Sequence, residues 1–216
     1  MEFYLFCFNI QKLSVLKSFN CFETKMHESN NHQFLIALGS NIGLGKILPL
    51  EIIKRAIVEL DKSDINVISI SRFYETPAYP EGSGPNFINC VIKAKANCSS
   101  KEILQKLHQI EEKFERQRVS RWGARTLDLD LLAVKGQVLP SRKIFQKWFD
   151  LPFSEQKEKI PSELVLPHPR IQDRAFVLSP LLDIEPNWTH PTLNKTAIQL
   201  YEELPKKAKK NIQVVQ

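Results

Sequence analysis

The chain has 216 residues, 43% hydrophobic and 25% charged, which suits one domain with a full-sized core and leaves no room for two large ones. Its formal charge of +6 is weak evidence for a polyanion partner, because Lys206, Lys207, Lys209 and Lys210 of the terminal PKKAKK supply four of those charges and leave +2 elsewhere. Cys7, Cys21, Cys90 and Cys98 have no C-x-x-C spacing, which argues against a zinc site or a disulfide framework and makes a reducing cytoplasm the expected setting.

Residues 1–25 are apolar in patches, but Glu2 stands where a basic leader would begin, and Asn9, Gln11 and Lys12 interrupt the run. Neither a signal peptide nor a membrane helix is expected. Residues 1–32 read as a disordered extension, of which 1–25 are expected to be dispensable, with an internal start at Met26. The domain itself is expected over 33–204, with 205–216 as a basic tail. QFLIALGSN (33–41) is a buried strand ending in a turn at Gly39. Residues 48–61 place Leu50, Ile53, Ile57 and Leu60 at helical spacing, with Pro49 tolerable in the first turn. Residues 65–77 and 86–96 alternate with period two around the Pro/Gly-rich AYPEGSG, predicting a hairpin with a long connection.

SSKEILQKLHQIEEKFERQR opens with a capping box, Ser99 to Glu102, and sets Ile103, Leu107, Ile110 and Phe114 on one stripe. A strand at 127–134 follows. The order β-α-β-β-α-β predicts an α+β, ferredoxin-like fold, with a largely antiparallel sheet, helices packed on one face and the other face free for function. Residues 137–163 read as a charged surface insertion anchored by Trp148 and Phe149. Beyond it, 164–184 is apolar and proline-punctuated, and TLNKTAIQLYEEL closes the domain with a capped helix.

Period two puts Asp128 and Asp130 opposite Leu127, Leu129 and Leu131, and Phe87 and Asn89 opposite Ile88, Cys90 and Ile92. An aromatic ring, an amide and two carboxylates then share one surface. The carboxylates stand roughly 6.6 Å apart at Cα by strand rise, close enough to hold hard cations through oxygen. Arg116, Arg118, Arg121 and Arg125 precede them with no acid in between, offering donors for phosphate beside ligands for Mg²⁺. Each feature also has a plain structural reading: a solvated sheet face for the acids, a helix end favoured by its dipole for the arginines. His168, Arg170 and Arg174 form a second basic group, stiffened by Pro167 and Pro169, and a His-Pro pair serves equally well as a turn. His108 and Glu111 flank the second helix's apolar stripe, where an edge-of-core role competes with a ligand contact.

The strings ALGSNIG, SRFYETPAYPEGSGPNFIN, RWGARTLDLDLL and LPHPRIQDRAFVLSPL, in that order, resemble the 6-hydroxymethyl-7,8-dihydropterin pyrophosphokinases of folate biosynthesis. The likeness covers about residues 33 to 190 without 137–163, a stretch longer than the family pattern. The resemblance implies transfer of pyrophosphate from ATP to the pterin hydroxymethyl group with release of AMP, using two Mg²⁺ ions on Asp128 and Asp130. It implies a pterin stacked between Phe87 and Phe176, its polar edge held by Asn89 and the backbone of Thr76, Pro77 and Tyr79. Arg116, Arg125 and Arg118, with Trp122, are implied to close over ATP as a lid. His168 and Arg174 are implied on its phosphates, His108 and Glu111 at its nucleoside end, and Arg116, Arg125, Asp128 and Asp130 as the catalytic set. The implied partners are ATP and hydroxymethyldihydropterin, with no nucleic acid and no membrane, and the chain is expected to be a cytoplasmic monomer.

Two other classes share parts of this pattern. A two-metal nucleotidyltransferase would also use Gly-Ser and D-x-D, but there the Gly-Ser lies about a helix ahead of the acids, whereas Gly39-Ser40 is far upstream of Asp128. A ferredoxin-like RNA-binding module would need aromatics on its binding strands, where carboxylates repel the nucleic acid backbone.

Overall fold

The structure is a computed structural model and describes residues 32–78, 82, 84–115, 125–152, 155 and 159–215. Strand β1 (His32–Ser40) leads through a turn to helix α1 (Pro49–Lys62), followed by β2 (Asn66–Ile70), β3 (Tyr74–Thr76), β4 (Phe87–Ala96) and α2 (Ser100–Lys113). Then come β5 (Asp128–Val134), α3 (Arg142–Phe149), α4 (Ala175–Ile184), α5 (Ala197–Glu203) and the short β6 (Gln213–Val214). All pairings are antiparallel, in the order β5-β1-β4-β3-β6 with β2 also on β4. This is the ferredoxin-like order predicted from the alternation of elements.

Local chemistry accounts for the elements. Pro49 sits in the first turn of α1, where its missing N–H costs nothing. In α2 the Ser99 side chain accepts from the Glu102 backbone N–H while the Glu102 carboxylate accepts from Ser99 N–H, so both halves of the capping box are present. A second box, Thr196 with Gln199, starts α5. The strand expected over 65–77 is broken into β2 and β3. Ser71 bridges the break: its N–H donates to the Val91 carbonyl at 3.0 Å and its Oγ accepts from Val91 N–H at 3.0 Å.

Two hydrophobic layers flank the sheet. Phe34, Ile36, Leu38, Cys90, Ile92, Leu129 and Leu131 face α1 and α2 on one side. On the other, Leu35, Val91, Leu132 and Ala133 meet Val177, Leu178 and Leu181 of α4 and Ala197 and Leu200 of α5. The second face is therefore not free along its length, as the strand order had suggested. Strands with apolar residues on both faces need two covers, and the proline-punctuated C-terminal segment provides the second. What stays open is the end of that face that carries Gly39, Phe87, Asn89, Asp128 and Asp130.

Two further segments differ from the sequence reading. In 137–163 the fully buried anchor is Phe145, which packs against Phe149 at 5.8 Å between ring centroids and against His190 at 5.8 Å. The terminal basic segment ends as a sheet edge, with Gln213 opposite Glu75 and Val214 opposite Tyr74. Among the described residues no helix is long and apolar enough to cross a membrane.

Candidate functional site

Strand register assembles the site. Asp128 lies opposite Gly39 on β1, Gly39 opposite Asn89 on β4, and Asn89 opposite Tyr74 on β3. Asp130 lies opposite Ala37, and Phe87 opposite Thr76. Gly39 is the low point of this floor: a Cβ there would stand 2.8 Å from Asn89 Oδ1 and 3.6 Å from Phe87 Cδ1. Lacking one, it lets the buried Asn89 amide lie flat while its Nδ2 donates to Thr76 Oγ1 at 2.8 Å.

The carboxylates are held by arginines from two different segments. Arg125 contacts Asp128 Oδ1 at 2.5 Å, and Arg174 donates to Asp130 Oδ2 at 3.0 Å. The two side chains stay 20% and 37% exposed, so ligands can reach both. Arg174 also lies 5.6 Å from the Phe176 ring centroid, which joins the acidic floor to the aromatic side of the cleft. Helix α4 carries Phe176 and is tied to β3 by Asp183, which accepts from the Arg72 guanidinium at 2.6 Å and from the Tyr74 hydroxyl at 2.9 Å. Burial alone would raise the Asp183 carboxyl, but these donors outweigh it and hold the group below the ordinary carboxylate range.

His168 follows the insertion. Its N–H donates to the Leu132 carbonyl at 2.6 Å and its Nδ1 accepts from the Arg170 N–H at 3.0 Å. Burial, reinforced by the neighbouring Arg174, holds its pKa well below the ordinary histidine value. The ring is therefore neutral at pH 7, and with Nδ1 engaged as an acceptor the proton is assigned to Nε2. His168 is thus a hydrogen-bond donor to the cleft rather than a base.

A cleft of ≈ 1990 Å³ runs across these groups, lined by Thr76, Pro77, Phe87, Asn89, His108, Arg125, Asp128, Asp130, His168, Arg174 and Phe176. Single-ligand pockets span about 300–1,000 Å³, so this one has room for two substrates. Of the residues expected here, Glu111 is in the interior instead: it is 2% exposed and its Oε1 accepts from the Leu129 N–H at 2.7 Å. A carboxylate at that position satisfies a backbone donor at the start of β5, which helical spacing could not reveal. Tyr79, Arg116, Arg118 and Trp122, and with them the expected lid, lie outside the described residues.

Asn41 was missed. Its Oδ1 accepts from Arg125 N–H at 2.6 Å, its own N–H donates to the Arg125 carbonyl at 3.1 Å, and its Nδ2 donates to the Pro85 carbonyl at 3.2 Å. It joins the segment entering β5 to the loop entering β4. In the sequence it is only an Asn after Gly-Ser, indistinguishable from a turn residue. Arg170, grouped in the sequence with the phosphate-side cations, donates to the carbonyls of Trp148, Phe149 and Leu151 at 3.2, 3.1 and 2.6 Å, gripping the C-terminal end of α3.

Residues 35–186 match the family model of 7,8-dihydro-6-hydroxymethylpterin-pyrophosphokinase (HPPK). The chain is 35% identical over 174 residues to a 2-amino-4-hydroxy-6-hydroxymethyldihydropteridine pyrophosphokinase of Synechocystis, covering 80% of this chain and 76% of that protein. It is 31% identical over 160 residues to the protein of the same name from Aquifex aeolicus, covering 74% and 84%. A crystal structure of Plasmodium falciparum HPPK-DHPS with pteroate matches at a TM-score of 0.60 and 17% identity, over 87% of this chain but only 47% of that one, a likeness of fold. The family model and these relatives, with the strand-borne D-x-D and its flanking motifs, show that the chain belongs to the 7,8-dihydro-6-hydroxymethylpterin-pyrophosphokinase family, the ATP-dependent diphosphotransferases of folate biosynthesis.

Proposed function

We propose that pyrophosphate passes from ATP to 6-hydroxymethyl-7,8-dihydropterin within the cleft over β1, β4 and β5, with the pterin between Phe87 and Phe176 and the triphosphate over Asp128 and Asp130. The observation that carries this reading is the pairing of each carboxylate with an arginine: Arg125 with Asp128, Arg174 with Asp130. Such pairs keep both charges balanced until a polyphosphate with its cations exchanges partners, the arginines going to phosphate oxygens and the acids to metal.

Two carboxylates on one strand face suit Mg²⁺, which takes one or two carboxylates and completes its shell with water and phosphate oxygens. Among the described residues no group of three or more His, Cys, Asp or Glu side chains could hold a metal ion. Asp128 and Asp130 would hold two ions, and when bound these neutralise charge on the transferred group.

Asn89, placed by Thr76, offers its amide to the pterin's polar edge, Pro77 adds its backbone carbonyl, and Tyr79 extends the same loop. Rings on both sides suit a flat heterocycle. The pterin hydroxymethyl oxygen attacks the β-phosphorus, the bond from that phosphorus to the oxygen bridging to the α-phosphorus breaks, and AMP leaves with that oxygen. His168 Nε2–H and Arg174 donate to phosphate oxygens, and Arg125, with Arg116 and Arg118, neutralises the migrating charge. His108 lines the nucleoside side, and Trp122 packs within the closing segment. Positioning and charge neutralisation carry most phosphoryl-type transfers, so a general base is not required beyond solvent taking the hydroxyl proton. Product analysis tests this: incubation with ATP, Mg²⁺ and the hydroxymethyl pterin should yield AMP and pterin diphosphate in equal amounts, and ADP as the nucleotide product would contradict it.

A further inference from the structure

The cleft extends past the β5 edge, away from Phe87 and Phe176, and its outer wall there is α3 of the 137–163 segment. Phe145 is sunk between Phe149 and His190, Leu139 exchanges backbone hydrogen bonds with Leu166 at 2.8 and 3.1 Å, and Arg170 grips the three carbonyls that end α3. The wall is thus fixed to the same short segment that presents His168 and Arg174. Trp148 is one residue before Phe149, on the cleft side, half-buried, and lines the cleft together with His108 and Leu104 of α2. Phe149 is already engaged with Phe145. Among the described residues the Trp148 indole has neither a ring partner nor a side-chain hydrogen bond.

We propose that Trp148 is a binding residue for the nucleoside end of ATP, its indole supplying the apolar wall on which the base or ribose packs. This rests on the reading that the triphosphate lies over Asp128 and Asp130. With the pterin on the β3–β4 side of those acids, the nucleoside has to project across β5 toward α3. A half-buried indole on the cleft wall is suited to a heterocyclic base, and stacking of this kind does not require a particular base. Arg170 acts as a positioning residue, since it sets how far α3 stands from the phosphate-side segment.

The test compares steady-state constants for the full-length parent with Trp148→Ala and Trp148→Phe. Trp148→Ala should raise KM for ATP roughly tenfold, leave KM for the pterin and kcat within about twofold, and Trp148→Phe should recover most of the loss. Inhibition by inorganic tripolyphosphate, which has no nucleoside, should be the same in all three. If Trp148→Ala fails to fold, Trp148→Leu keeps an apolar side chain on α3 and gives the same comparison. An active parent whose alanine or leucine variant has an unchanged KM for ATP, or loses tripolyphosphate inhibition in parallel with ATP, would overturn the assignment. A parent that forms no AMP would instead count against the underlying placement of ATP.

Discussion

Gly39 carries a steric demand that no other residue type meets: a Cβ at 2.8 Å from Asn89 Oδ1 would push the amide off Thr76. Gly39→Ala should therefore weaken pterin binding more than ATP binding, measured by separate titrations, and equal weakening would mean that the floor does not discriminate between the substrates. Phe87→Ala removes one stacking face, worth about 0.5–1.5 kcal/mol beyond area burial, so pterin affinity should fall at least ~10-fold while ATP affinity changes little. Unfolding of the variant, or a parallel loss of ATP affinity, would place Phe87 in the core instead. The shared face of Phe87, Asn89, Asp128 and Asp130 was legible from period two alone, because strand alternation is rigid. The fates of Asn41 and Glu111 were not. Both are decided by a backbone partner distant in sequence, Pro85 and Arg125 for one and Leu129 for the other, and local spacing carries no record of it.

Among the elements, α2 and β5 follow their signals closely: the capping box starts the helix at its expected residue, and Leu129 and Leu131 of β5 face α1 and α2. The insertion is harder to read because a charge-rich segment with few apolar positions does not fix a stripe, and Phe145 stands out no more than its neighbours Trp148 and Phe149. Phe145→Ala should cost about 3–5 kcal/mol, the usual range for truncating a buried phenylalanine, read as a lower denaturant midpoint. A cost below 1 kcal/mol would show that α3 is loosely attached and could not serve as a wall. The capping box offers a smaller check: Ser99→Ala should lose about 1 kcal/mol, because the Glu102 N–H is left without its side-chain acceptor.

For the molecule as a whole, a sheet covered on both faces leaves chemistry only at one end, and that end collects arginines from two separate segments around two acids. The second cover was not evident from the strand order, since the α4–α5 segment reads simply as apolar and proline-rich until Leu35, Val91 and Leu132 are seen to need it. The same packing sets the pH response. His190 is fully buried between Phe145 and Trp188, its Nε2 without a hydrogen-bond partner among the described residues, and burial lowers its pKa from 6.5 to about 4. His168 is shifted in the same direction. A histidine whose folded-state pKa lies below its unfolded value contributes its full stability above about pH 6.5. That stability is lost as pH falls toward 4, because the unfolded chain binds the proton first. Melting temperature should thus decline steadily from pH 6.5 to 5, before most carboxylates titrate, and a flat profile over that interval would contradict the neutral state of these rings.

The most direct test of the site is AMP formation by Asp128→Asn and Asp130→Asn across a Mg²⁺ titration. Each change removes a hard anionic ligand where negative charge gathers in the transition state, while the apolar face of β5 is untouched. Both variants should fold and bind the pterin with near-parental affinity, yet turn over at least ~100-fold more slowly at ordinary Mg²⁺. Near-parental rates in both, at the same Mg²⁺ concentration, would contradict the assignment of the metal-bound triphosphate to this pair.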